Sequence, residues 1–170
     1  WEDYRNPNLL FVGNDTGVFV SIDGGATWVK MNNNMPNIPV HDLMVHPRDQ
    51  DLVLGTYARG FYITNIRPLQ ELTTAVLASD AHLFTIQPVV QRVRWTFGAL
   101  DYLFGQRYFQ TRNPPDGMVI NYYLKNATSP ATITISTAQG HQVAQVPGTG
   151  DAGYNSVVWN TRVPPGGAAA

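Results

Sequence analysis

The side chains able to do acid–base or metal chemistry are few and scattered. Four histidines occur, His41, His46, His82 and His141. His41 and His46 are five apart in a strand-like segment and so point to opposite faces. His41 beside Asp42 offers the start of a metal pair, and nothing near it in sequence completes one. With no Cys in the chain there is no thiol catalysis, no disulfide and no Cys-type zinc site. There is no P-loop, no dinucleotide glycine motif and no H-E-x-x-H. Tyr57, Arg59 and Asp42 come closest to a reactive group, and Arg59 reads as a turn residue. The chain reads as non-enzymatic, with no catalytic residue, cofactor or metal ligand. A net charge of -1 steers it neither to nucleic acid nor to anionic lipid.

The stretch with the strongest local logic is Ser21-Ile22-Asp23-Gly24-Gly25-Ala26-Thr27-Trp28. Phe19 and Val20 precede it, Val29 and Met31 follow it, and apolar and polar residues alternate on both sides. That pattern predicts a β-hairpin. The Asp23 carboxylate can fold back onto turn amides, and Gly25 can take a positive φ. Trp28 can plug the core beside the turn.

The elements around it repeat. Pro7–Gly13 followed by Gly17–Ser21 is echoed by Asp51–Gly55 followed by Gly60–Thr64. Gly13 to Gly55 is 42 residues and Gly17 to Gly60 is 43, a spacing that fits one four-stranded propeller blade. Thr27–Met31 and Val40–Val45 are expected to complete the first blade. His46-Pro47-Arg48-Asp49 turns into the second copy. Asn65-Ile66-Arg67-Pro68 stands where a second Asp-Gly turn would be.

Ser21, Asp23, Gly25, Thr27 and Trp28 together resemble the Asp-box of BNR-repeat β-propellers, among them sialidases, sortilin-type receptors and the photosystem II assembly propeller. The resemblance implies a folding device at a blade rim. Leu54-Gly55-Thr56-Tyr57-Ala58-Arg59-Gly60-Phe61-Tyr62-Ile63 is similar to the closing blade of large bacterial sortilin-type propellers, with Ala58 where a Gly is common. A sialidase takes an arginine cluster, a tyrosine nucleophile and an acid from several blades, and this chain holds no such set. A closed ring needs at least ~4 blades of ~40 residues. Residues 1–67 supply about one and a half blades, so the open edge and face need a cover.

Residues 68–112 read as a linker. Pro68 to Ser79 is predicted as one short helix, from Pro68 in the first turn and the spacing of Leu69, Leu72 and Val76. His82–Ile86 and Gln91–Thr96 are expected strands. Tyr102, Phe104, Tyr108 and Phe109 are too many aromatics for a free linker. With Trp1 and Tyr4 they are candidate interface residues, a reading preferred to a sugar-stacking platform. Residues 113–165 alternate with period two in Met118–Leu124, Ala131–Ser136, Gln142–Val146 and Asn155–Trp159, separated by turn clusters. This predicts a small β-sandwich. The run from Asn113-Pro114-Pro115-Asp116-Gly117 to Asn155–Arg162 resembles the Ig-like module that follows such propellers, with Asn160 where the family usually has Asp. Residues 166–170 read as tail. No apolar run approaches the ~20 residues of a membrane span. The chain begins at Trp1 and reads as a processed product or part of a longer protein.

The expected fold is therefore all-β, a partial propeller plus an Ig-like sandwich with one short helix in the linker. The expected role is a structural subunit docking on another protein that completes the open blade edge. The resemblance to the photosystem assembly propeller points to the periplasmic, extracytoplasmic face of a membrane complex, a photosynthetic one included. The alternative is the C-terminal end of a large BNR-repeat hydrolase-like or sortilin-type protein whose active face lies upstream. Asn14-Asp15-Thr16 and Asn126-Ala127-Thr128 match the N-glycosylation pattern. In a chain resembling bacterial families they read as chance matches.

Overall fold

The computed structural model describes residues 1–31, 34–90 and 115–162. The described residues form eleven strands in several small antiparallel sheets and two short helices. The chain divides into two compact units, one over Trp1–Asp80 and one from Ala81 onward. The expected strand at Gln91–Thr96 and the aromatic segment 97–113 lie outside the described residues, as does the tail.

In the first unit β1 (Leu10–Asn14), β2 (Gly17–Ser21) and β3 (Val29–Met31) form one sheet in that order. A second sheet is built the same way from β4 (Val40–Val45), β5 (Asp51–Thr56) and β6 (Phe61–Asn65). The repeat seen in sequence is thus real as two hairpins, β1–β2 and β5–β6. One expectation is corrected. Val40–Val45 does not complete the first sheet but pairs with β5, Leu43 opposite Leu54 and Val45 opposite Leu52. The physical reason is the short His46–Gln50 connection, which makes antiparallel pairing with the next strand entropically cheap. His46 N donates to Asp51 O and Gln50 N to His46 O, both at 2.8 Å. Gln50 takes a φ of 56° at the turn, is buried, and accepts from Arg67 Nε at 2.8 Å.

Alternation decides what each strand buries. Phe11 of β1, Val18 and Val20 of β2, Val40 and Val45 of β4, and Leu52 and Leu54 of β5 point into a shared core with Leu9, Met35, Ile38 and Ile66. The two sheets approach closely where β1 faces β4. A Cβ on Gly13 would lie 2.7 Å from Val40 Cγ1 and 3.1 Å from Val40 O. Here the glycine is required by space, since its φ lies outside the left-handed region.

The first residues run along the edge of β1. The Trp1 amino group donates to Phe11 O, Phe11 N donates back to Trp1 O, and Asp3 N donates to Leu9 O. Asp3 is buried. One carboxylate oxygen accepts from Arg5 N and Asn6 N at 2.9 Å each, and the other accepts from Gln70 Nε2 at 2.8 Å. Gln70 belongs to α1 (Arg67–Glu71), so this carboxylate ties the start of the unit to the first of its two helices. The single helix expected over Pro68–Ser79 is in fact two, α1 and α2 (Thr74–Ala78). The break falls at Leu72-Thr73, where Thr73 takes an extended conformation and its side chain caps α2 by accepting from Val76 N.

In the second unit β7 (Ala81–Leu83), β8 (Met118–Leu124) and β11 (Gly153–Trp159) form a sheet in the order β11-β8-β7. The strand expected over His82–Ile86 is shorter and begins one residue earlier. β9 (Ala131–Ser136) and β10 (Gln142–Gly148) form a two-stranded sheet. Ile120, Tyr122 and Ala144 are buried between them. Tyr122 Oη donates to Thr149 O, Thr149 Oγ1 donates to Asn155 Oδ1, and Asn155 Nδ2 donates to Asp151 O and Gly153 O. This chain of bonds satisfies the buried polar ends of the β10–β11 loop.

Gly13→Ala should destabilise the first unit by about 1–3 kcal/mol through overpacking. In a Val40→Ala background the same change should cost less, which chemical denaturation of the four variants will read as coupling. Tyr122→Phe should cost the second unit about 1–2 kcal/mol, because it leaves the Thr149 carbonyl without its donor.

Candidate functional site

The Ser21–Trp28 turn closes β2 onto β3 through a compact set of hydrogen bonds. Ser21 is buried. Its hydroxyl donates to Asp23 Oδ1 at 2.7 Å and accepts from Gly25 N at 2.8 Å. Asp23 Oδ1 also accepts from Thr27 N at 2.9 Å, and Oδ2 accepts from the Thr27 hydroxyl. Gly24 and Gly25 take φ of 71° and 94°, which lets the amides turn inward. Gly24 N donates to Asn8 O at 2.9 Å, joining the turn to the segment before β1.

The Thr27 hydroxyl, then the Thr27 amide and the Ser21 hydroxyl, hold the Asp23 carboxyl down to about 2. Such a carboxylate is ionised at neutral pH and spends its lone pairs on the turn. It is a staple rather than an acid–base group. Trp28 differs from the sequence expectation. It is 41% exposed and lies across the turn with its indole N–H donating to Gly25 O at 3.1 Å. Ile22 packs against the core instead, and the indole N–H keeps an acceptor at the rim.

A second feature is a row of uncovered apolar side chains on the sheet β4-β5-β6. Met44, Val53 and Ile63 sit opposite one another across the three strands. Phe61 is two residues before Ile63 on the same face. Met44 is 46%, Ile63 65% and Phe61 79% exposed, and Val53 is part-buried. The opposite face of the same sheet carries the buried Leu52, Leu54 and Val45. The row was missed from sequence, where Gly60–Thr64 read as a repeat of Gly17–Ser21. The signal was present: Phe61 and Ile63 alternate with Tyr62 and Thr64, so both faces of that strand carry a large apolar residue.

The other candidates fall elsewhere. Trp1 and Tyr4 are half-exposed beside the first sheet, and Tyr4 Oη donates to His46 O at 2.8 Å. Tyr102, Phe104, Tyr108 and Phe109 lie outside the described residues. His41 stacks on Tyr57 with ring centroids 5.5 Å apart, while Asp42 Oδ1 accepts from Leu43 N at 2.9 Å. His46 Nδ1 accepts from Asp49 N at 3.2 Å. Among the described residues no three His, Asp or Glu side chains gather to hold a metal. A pocket between Val89–Val90 and Asn160–Arg162 measures about 60 Å³, well under the ~300–1,000 Å³ of a small-molecule site. No helix among the described residues is long and apolar enough to cross a membrane.

The Asp23 staple sets a pH dependence. Its folded pKa is depressed, so its contribution is fully present above the unfolded value of ~3.9 and is lost as pH falls through about 2. Asp23→Asn should lower the melting temperature at neutral pH. The gap to the wild-type chain should close between about pH 4 and pH 2, measured by thermal melts across that range. No protein-family model matches the chain, and no curated protein or solved structure matches it.

Proposed function

We propose that the chain is a non-enzymatic structural subunit that docks on another protein through the β4-β5-β6 sheet. The observation that carries this reading is the Met44–Val53–Ile63 row with Phe61, apolar and uncovered on a sheet whose other face is already packed. Covering such side chains is worth roughly 1.5–3 kcal/mol each. The adjoining edge of β6 adds backbone donors and acceptors, because among the described strands β6 pairs with β5 alone. The fitting partner is therefore an apolar β-sheet of another polypeptide, stacked on the row and pairing with the edge.

Two three-stranded sheets with a 42–43-residue repeat support the partial-propeller reading, and the hydrogen-bonded Ser21–Trp28 turn supports its likeness to an Asp-box. The small sheets of the second unit support an Ig-like spacer. Placement on the extracytoplasmic face of a membrane complex rests on the family resemblance. The second reading makes this chain the end of a longer propeller whose own upstream blade covers the row.

Native purification separates the two. A stoichiometric complex containing this chain at 18.8 kDa supports the subunit, and one heavier polypeptide ending in these residues supports the longer propeller. Ile63→Asp combined with Phe61→Ser should abolish co-purification of the partner. The same change should leave the chain's melting temperature nearly unaltered, since exposed substitutions shift stability by only about 0.5 kcal/mol. A wild-type chain that stays monomeric and soluble at high concentration without any partner would overturn the docking reading.

A further inference from the structure

The two N-x-T sequences are alike on paper and different in the structure, and the difference carries an inference independent of the docking surface. Asn14 ends β1, and Asp15-Thr16 is the two-residue loop that leads to Gly17 opposite it. Asn14, Asp15 and Thr16 are all exposed. Asn14 Oδ1 accepts from Thr16 N and from the Thr16 hydroxyl, both at 2.8 Å. Two donors on the amide oxygen draw electron density toward it and make the Nδ2 protons more acidic, on a residue that is itself exposed.

Asn126-Ala127-Thr128 is also exposed, but its threonine is engaged elsewhere. The Thr128 hydroxyl donates to Ser129 O at 2.8 Å, and Thr128 N donates to Gly150 O at 2.8 Å. Neither donor reaches the Asn126 amide. A Cβ on Gly150 would lie 2.6 Å from the carbonyl oxygens of Thr128 and Ser129, so that loop is held by close packing and cannot easily turn its hydroxyl.

We infer that Asn14, and not Asn126, is an acceptor site for an N-linked glycan on the folded chain. The donor class is an oligosaccharide carried on a polyprenyl pyrophosphate, and the enzyme is an oligosaccharyltransferase. Asn14 Nδ2 forms a bond to the anomeric carbon of the first sugar, and the bond from that carbon to the pyrophosphate oxygen breaks. The Nδ2 proton passes to a carboxylate of the transferase, the lipid pyrophosphate leaves with the bonding pair, and nothing is oxidised or reduced. A hairpin tip is a place where a bulky polar group displaces no packing.

The test is to incubate the purified, folded full chain with a single-subunit oligosaccharyltransferase and a polyprenyl-pyrophosphate oligosaccharide, then measure intact mass and map the modified peptide. One glycan is expected, on Asn14. It should vanish in Asn14→Gln and Thr16→Val, and persist in Thr16→Ser, which keeps the hydroxyl donor, and in Asn126→Gln. An unmodified folded chain beside a modified Asn14 peptide would overturn the inference, as would a glycan on Asn126 in place of Asn14. The readout is covalent mass, so its failure is distinguishable from failure of partner binding.

Discussion

A sheet with large apolar residues on both faces needs two covers, and β4-β5-β6 is provided with one. The cover it has is the first sheet, brought so close at β1 that Gly13 leaves no room for a methyl group against Val40. That contact lets Leu9, Phe11, Val18 and Val20 share a dry interior with Val45, Leu52 and Leu54. The first unit depends on it, since neither three-stranded sheet buries enough by itself to stand alone. The same geometry turns Met44, Ile63 and Phe61, with the part-buried Val53, to the face that the described residues leave exposed.

Polar side chains hold the perimeter so that the core can be small. The Asp3 carboxylate is buried and fully hydrogen-bonded, linking the first residues to α1. Asp23 is only part-buried and does similar work in the Ser21–Trp28 turn. Burial raises what is lost when such a bond is broken, because a stranded charge cannot recover its solvation. Removing Asp3's partners therefore threatens the closure of the unit, whereas loosening Asp23 threatens one hairpin.

The second unit solves a similar problem with less apolar material. Tyr122 buries its ring and sends its hydroxyl to Thr149, and Asn155 gathers the carbonyls of Asp151 and Gly153 just before it. Gly148 lies so near the Tyr122 hydroxyl that an added Cβ would come within 2.5 Å of it. A unit of small sheets like these relies on loop ends being tied down, since the five described short strands enclose little volume.

Much of the fold was legible in the chain because its information is local. The period-two runs place β8, β9, β10 and β11 within a few residues, and the Gly-punctuated repeat locates β1, β2, β5 and β6. The chemistry of Ser21, Asp23, Gly25 and Thr27 is also local, because those residues contact one another within one turn. Other features turned on which of several nearby partners a segment takes, and alternation does not rank those. Strand β4 chose β5 over the first sheet, the helix broke where Thr73 could cap, and Trp28 stayed at the rim because Ile22 filled the core. The sequence by itself determined the strands, the stapled turn and the all-β character, since alternation and hydrogen-bonding geometry act over a few residues. Only the tertiary structure decided which face of the second sheet is covered and which N-x-T has its threonine tied to a distant loop. Both follow from what long-range packing brings alongside, and that is not written at any one position.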